Sequence, residues 1–323
     1  MGEPALPASP LPERPQLKPW YRVSLEADRT VLRYGGSVLE FGGADAVRLL
    51  PRLLRLLDGT RTLEEIAATF GEPVRPAVAE AVRLLARQRL LVDPAGGELP
   101  ADTARTVGFL AATDRYDRGP AAALRGLERA SAAVVGSGAV AAAIAALLRR
   151  SGVPSVARAG WRDPAAHESR LAVVAPAPDE TGRVEEWNRD ALARGSEWLQ
   201  VLPYDGLVAA VGPVVVPGES ACHECYRLRR AANVSPLADR GGGAAASAPV
   251  LDSVVAGLAA LVAVRRLACE DGLAVGTVLA VEASPEPACS RHVVYRVPRC
   301  PACSPAAAAA APSPWHAEEA RAA

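Results

Sequence analysis

The alternation of apolar and polar positions divides the chain into two patterned stretches, about 17–93 and 131–303. In the first, Tyr21, Val23 and Leu25 alternate with polar residues, the period of a half-buried strand. Val31–Tyr34 and Ser37–Phe41 flank Gly35-Gly36, a two-residue turn suited to positive φ, and read as a hairpin. The pattern then becomes helical. Val47, Leu50, Leu54 and Leu57 share one face, interrupted by Pro51 and ended at Asp58-Gly59. Thr62-Leu63-Glu64-Glu65 is a capping box opening a second short helix, which stops at Gly71. A third helix is expected over about 75–89, with Val78, Ala81, Val82 and Leu85 inward, and Leu90-Leu91-Val92 reads as a short closing strand. Three strands, three helices and a wing predict a small winged-helix-like domain.

Residues 94–130, punctuated by Pro94, Gly96-Gly97 and Pro100, read as a linker with some helix over Ala121–Arg129. Beyond it, the apolar strand Ala132–Val135 runs into Gly136-Ser137-Gly138 and an alanine- and leucine-rich helix ending at Arg150. Further strands are expected at 155–159, 171–175, 198–202, 208–216 and 275–281, with 293–297 closing the unit and helices at 185–194 and 250–268. This alternation predicts an α/β sheet of parallel strands. The glycine- and alanine-rich stretch 238–248 reads as a mobile loop, and residues 1–16 and 304–323 as disordered tails.

Composition narrows the partners. Half of the 323 residues are apolar and the formal net charge is zero, so whole-chain electrostatics predicts neither nucleic acid nor an acidic membrane as the main partner. The most apolar run, Val250–Val264, carries Asp252 and ends at Arg265-Arg266, short of the roughly 20 residues a bilayer requires. The N-terminal MGEPALPASPLPERP lacks the basic start and apolar core of a signal peptide. A cytoplasmic protein is expected, with its six cysteines reduced or bound to metal instead of paired as disulfides.

Two motifs carry chemistry. Cys222-His223-Glu224-Cys225 and Cys300-Pro301-Ala302-Cys303 are two Cys-x-x-Cys knuckles, together the four thiolates of a closed tetrahedral site for one structural zinc ion. Cys300 lies 75 positions beyond Cys225, too far for a compact finger, so the metal would pin the C-terminal end of the domain onto the segment after Gly212-Pro213. The alternatives are four ordinary buried cysteines or a redox pair. His223 and His292 read as bystanders, and Cys269 and Cys289 as small core residues. The second motif, Gly136-x-Gly138-x-x-Ala141, has the strand–turn–helix setting of a dinucleotide fingerprint, whose backbone approaches phosphate at a helix start. The acid such a site wants about 20 residues on is missing, because the position falls at Gly160.

With the fingerprint, the helix ending Ser151-Gly152-Val153 and the two cysteine pairs, about half the chain resembles the ThiF/MoeB group of ubiquitin-activating-type adenylyltransferases. Active members hold ATP and magnesium with a strand-end Asp, a following Asn/Arg segment, a lysine and a further Asp. Here Gly160 takes the first position, Leu171–Ala175 ends in Pro176-Ala177-Pro178 where Thr-Asp-Asn is usual, and Lys18 is the only lysine in the chain. The resemblance therefore implies a degenerate nucleotide loop and no use of ATP by this chain. The stretch Val211–Cys225 and the closing Val297–Cys303 look like the degenerate ThiF-like (ocin-ThiF-like) proteins of thiazole/oxazole-modified peptide pathways. Leu57–Ile66 and Leu84–Val92 resemble the PqqD-like recognition element fused ahead of them.

That likeness implies a non-catalytic scaffold that binds the leader of a ribosomal precursor peptide. Its partner would be a YcaO-type cyclodehydratase, which uses ATP to form azolines from Cys, Ser or Thr. Other tailoring enzymes and a second copy of the chain are further expected partners. Ser37, Val38, Leu39, Glu40 and Phe41 would form the free sheet edge that accepts the leader, with one alternating set of side chains facing a groove beside the third helix. Arg83 and Arg87 of that helix would meet acidic leader residues. Three rivals stand: an active adenylyltransferase, a winged-helix DNA-binding regulator using Arg75, Arg83, Arg87 and Arg89, and a metal-stabilised binding protein of unrelated purpose.

Overall fold

The computed structural model describes residues 11–233, 247–283 and 286–304. The C-terminal tail after residue 304, residues 1–10 of the N-terminal one and nearly all of the loop expected at 238–248 lie outside the described residues. The chain divides into two units, Met1–Arg125 and Gly126–Ala323.

In the first unit, β2 (Arg22–Leu25), β3 (Arg29–Tyr34) and β4 (Ser37–Gly42) form a three-stranded antiparallel sheet in that order. Gly35 takes φ +55°, the positive value the hairpin turn demands. Val23 and Leu25 are exposed, the latter at 61%, so β2 is not the half-buried strand its alternation suggested. It is an edge strand: Val23 lies opposite Leu32 on the core-side face of the sheet, but at this edge its side chain stays uncovered.

Three helices follow, α1 (Ala44–Leu56), α2 (Leu63–Ala68) and α3 (Arg75–Arg87). Helix α1 continues through Pro51 and buries Leu50, Leu53 and Leu54 against Ile66, Val78, Val82 and Leu85. The capping box forms in full: Glu65 N–H donates to Thr62 Oγ1 at 3.2 Å and Thr62 N–H to the Glu65 carboxylate at 2.7 Å. Replacing Thr62 with alanine is expected to cost about 1 kcal/mol, read as a lower thermal midpoint by calorimetry.

Leu91–Val92 (β5) does not close the three-stranded sheet. It pairs with Gln16–Leu17 (β1) in a separate antiparallel ladder, which also places Gln16 outside any disordered tail. The expected linker contains two helices, α4 (Ala101–Thr113) and α5 (Gly119–Glu128), with Val107, Leu110 and Ala111 of α4 buried.

The second unit is built on one seven-stranded sheet in the order β12-β11-β10-β9-β8-β6-β7. Its strands are β6 (Ser131–Val135), β7 (Ser155–Ala159), β8 (Leu171–Val174), β9 (Trp198–Leu202), β10 (Val208–Val215), β11 (Thr277–Glu282) and β12 (Ala288–Val293). β7, β6, β8 and β9 run parallel, as expected, but β9 to β12 pair antiparallel. Short connections explain two of these pairings, since a parallel return needs a crossover of a dozen or more residues and only residues 203–207 join β9 to β10 and 283–287 join β11 to β12; the long β10–β11 connection does not dictate its direction.

Helix α6 (Ala139–Arg150) packs along α10 (Pro249–Cys269) over one face of the sheet. On the other face Ala133, Val135, Ala172 and Val174 meet Trp187 and Ala191 of α8 (Val184–Arg194). Helix α7 (Ala165–Glu168) is a single turn, and α9 (His223–Asn233) follows the first cysteine knuckle. Cys269 is buried as expected, whereas Cys289 sits exposed on the edge strand β12 and is not a core residue. Among the described residues, no helix is long and apolar enough to cross a membrane.

Candidate functional site

The second unit brings the two knuckles together. Cys222 caps the start of α9 and Cys225 lies in its first turn, while Cys300 and Cys303 lie in the turn after β12. All four sulfurs fall within 4.8 Å of one another. Cys222 Sγ is 3.9 Å from Cys225 Sγ and 3.8 Å from Cys300 Sγ, and Cys225 Sγ is 3.5 Å from Cys303 Sγ. A tetrahedron with metal–sulfur bonds of about 2.3 Å spaces its corners by about 3.8 Å, so the cluster has the size and donor set to hold a metal ion. Burial pushes the Cys222 thiol up, and burial with the adjoining sulfurs pushes Cys303 up to about 11. As thiolates, four groups this close would need a cation among them.

The sequence did not reveal what braces the cluster. Val297 N–H donates to Cys225 Sγ at 3.3 Å. Arg296 ties the C-terminal knuckle down through the carbonyls of Gly218 and Cys303, and Arg229 of α9 donates to the carbonyls of Tyr295 and Arg296. His223 is no ligand. Its backbone N–H donates to Asn188 and its ring Nδ1 meets Gln200 Oε1 at 2.6 Å, while the Gln200 amide donates to the Gly212 carbonyl. Burial holds the His223 ring down at about 4, so it is neutral and Nδ1–H is the donor. The chain lies across sheet and knuckle as one buried polar network. His292 is on β12, away from the sulfurs, and bonds to Ser290.

The fingerprint Gly136, Gly138 and Ala141 lies where β6 turns into α6. Gly136 has φ +122°, and a Cβ there would stand 2.0 Å from the Ala175 carbonyl oxygen, so only glycine fits the turn. Ser137 N–H, which an open loop would offer to a phosphate, donates instead to Glu180 Oε2 at 3.0 Å. Ala177 N–H donates to the same oxygen at 2.9 Å and the Trp161 indole N–H to Oε1 at 3.0 Å. Burial works to raise the Glu180 carboxyl, but these donors outweigh it and hold the group below the usual carboxylate range. Arg158 of β7 donates to the Gly136 carbonyl. Gly160 directly follows β7, and no lysine lies in this unit.

In the first unit β4 ends the sheet, and among the described residues no strand pairs with its far side. A two-residue turn closes on a mutually bonded pair, Tyr34 with Ser37. Leu32–Leu39 and Thr30–Phe41 are then bonded pairs too, and the N–H and C=O groups of Val38, Glu40 and Gly42 point away from β3. The side chains sort the other way. Leu39 and Phe41 are half-buried against the core that includes Val78, Val82 and Leu85 of α3, whereas Ser37, Val38 and Glu40 are exposed. Leu39 and Phe41 are therefore the alternating set on the core side, a choice the sequence left open. An open hollow of about 620 Å³ lies at the end of β4, lined by Asp28, Arg29, Glu40, Gly43 and Arg48 among others. Arg83 and Arg87 are exposed and share the Glu80 carboxylate, and Arg75 pairs with Glu72 and Glu64.

No family model and no curated protein matches this sequence. Solved structures do. A heterocyclase in complex with substrate and cofactor aligns with 90% of this chain at 22% identity and a TM-score of 0.69. The heterocyclase TruD aligns with 91% at 22% identity and 0.66. MccB from E. coli, in a complex with AMPCPP and MccA, aligns with 90% at 14% identity and 0.63. The chain has the fold of these proteins. It spans 39% and 43% of the two heterocyclase chains but 99% of MccB.

Proposed function

We propose that this chain is a leader-binding scaffold of ribosomal peptide modification, handing a precursor peptide to a separate YcaO-type cyclodehydratase that forms thiazolines or oxazolines. The open β4 edge carries the reading. An extended leader adds to it as a fourth strand through Val38, Glu40 and Gly42, with alternate side chains pressed toward Leu39, Phe41 and α3. Acidic leader residues would compete with Glu80 for Arg83 and Arg87. The likeness to heterocyclases supports the pathway. The metal is a structural zinc: four thiolates leave no position for a water or substrate.

MccB, whose solved structures include one with ATP, favours the rival reading of an adenylyltransferase. Against it stand the absent lysine and strand-end acids and the occupied Ser137 N–H. A DNA-binding role is opposed by the carboxylates already paired with Arg75, Arg83 and Arg87.

The test combines fluorescence polarisation, using the labelled leader of a precursor encoded beside the gene, with ATP–pyrophosphate exchange. Saturable leader binding with only a shallow salt dependence, and exchange at background, are expected. Robust exchange by the purified chain, or steep salt-dependent DNA binding without leader binding, would sink the scaffold reading.

A further inference from the structure

The Glu180 carboxylate in the glycine-rich turn is more than a local cap. Glu180 lies in the short 3-10 helix Pro178–Arg183, and its bond from Ala177 N–H is a local cap of that helix's N-terminus. The other two donors come from elsewhere: Ser137 from the β6–α6 turn, 43 positions away, and Trp161 from the loop after β7, 19 positions away. Three separate segments thus converge on one carboxylate and satisfy both of its oxygens. Two arginines lie close by. Arg158 reaches the Gly136 carbonyl, and the Arg183 guanidinium lies 6.0 Å from the Trp161 ring centre. Gly138 lies against Ala177, since a Cβ built on it would sit 3.4 Å from that side chain, so turn and carboxylate-bearing loop are in contact.

We infer that Glu180 is the resident anion of this turn, its carboxylate filling the place that an open loop of the same geometry offers to a phosphate. Nucleotide is then excluded by occupancy as well as by missing ligands. An incoming phosphate meets a negative charge at hydrogen-bond distance and must break three bonds to displace it. Without the carboxylate, the same three N–H groups and the nearby Arg158 and Arg183 would be left facing a small hole with no anion in it. Such a hole suits a small anion, either a carboxylate or a phosphate.

The experiment compares the full-length wild-type chain with Glu180→Ala and Glu180→Gln, using sodium formate and inorganic pyrophosphate as probes. The wild-type chain is expected to show no formate-dependent change in thermal midpoint and no calorimetric binding of pyrophosphate at millimolar concentration. Glu180→Ala is expected to be destabilised, to be restored by millimolar formate, and to bind pyrophosphate at least about tenfold more tightly than wild type, a difference of about 1.4 kcal/mol. Glu180→Gln keeps the side-chain volume and removes the charge. It carries the pyrophosphate comparison should the alanine variant fail to fold. A folded variant that gains neither formate rescue nor pyrophosphate binding overturns the inference. So does wild-type protein that binds pyrophosphate as well as the variants do. Leader binding is measured separately by polarisation, so failure here and failure of the scaffold reading are distinguishable.

Discussion

Metal analysis of the purified full-length chain is expected to return one zinc ion per chain, and stripping that ion to unfold the second unit. Binding of a structural zinc contributes on the order of 10–16 kcal/mol, about the whole net stability of a domain at roughly 5–15 kcal/mol. Cys222, Cys225 and Cys300 share one buried cluster with Trp187 and Trp198. A strong chelator should therefore shift tryptophan emission to the red as those two indoles meet water. Cys300→Ser should bind less than one ion per chain and unfold at lower temperature. The site also has a pH sign. Burial raises the metal-free Cys222 and Cys303 thiols, so each bound ion displaces protons and affinity falls as pH falls. The ligands all belong to the second unit, so leader binding by the first should survive chelation. Protein that carries no metal as purified and keeps its emission spectrum in chelator would remove zinc from the account.

Much of this arrangement is legible in residue order because it is local. The capping box at Thr62, the hairpin turn at Gly35 and the two knuckles each lie within a few residues, and the structure forms all three. Antiparallel pairing at β9–β10 left a trace too, in a connection too short for a crossover helix, but apolar runs alone carry no strand direction. Helix α4 was hidden because proline and glycine precede it and its apolar residues, mostly alanine, form no clear stripe. Pro100 is in fact its N-cap, a residue at a helix start and not a break. The expected strand at β5 forms, but its partner was hidden because it lies at Gln16–Leu17, across more than 70 positions. Glu180 was invisible for the same reason. Nothing in Pro178-Asp179-Glu180 announces that its carboxylate bonds to Ser137. Interactions made by folding, between residues distant in the chain, are what the pattern of single positions does not encode.

Glu40→Pro is expected to abolish leader binding while leaving the first unit folded. Proline removes one N–H and places a ring where the added strand must lie. At Glu40 the lost N–H points to solvent, away from β3, so the hairpin keeps its own bonds and an edge proline is tolerated. The leader loses a main-chain bond worth about 1 kcal/mol and meets a steric block besides, so a fall in affinity of more than about tenfold is expected by polarisation. Three controls fix the meaning. Glu40→Gln removes only the carboxylate that pairs with Arg29 and should bind nearly as wild type. Leu39→Pro removes an N–H bonded to β3 and should unfold the hairpin, lowering the thermal midpoint. Val23→Pro makes the corresponding change on β2, the sheet's other edge, where the same alternation turns the Val23 N–H outward. If the leader adds to β4, Val23→Pro binds normally. If Val23→Pro abolishes binding and Glu40→Pro does not, the leader uses β2, and Leu39, Phe41, Arg83 and Arg87 lose their assigned place in recognition.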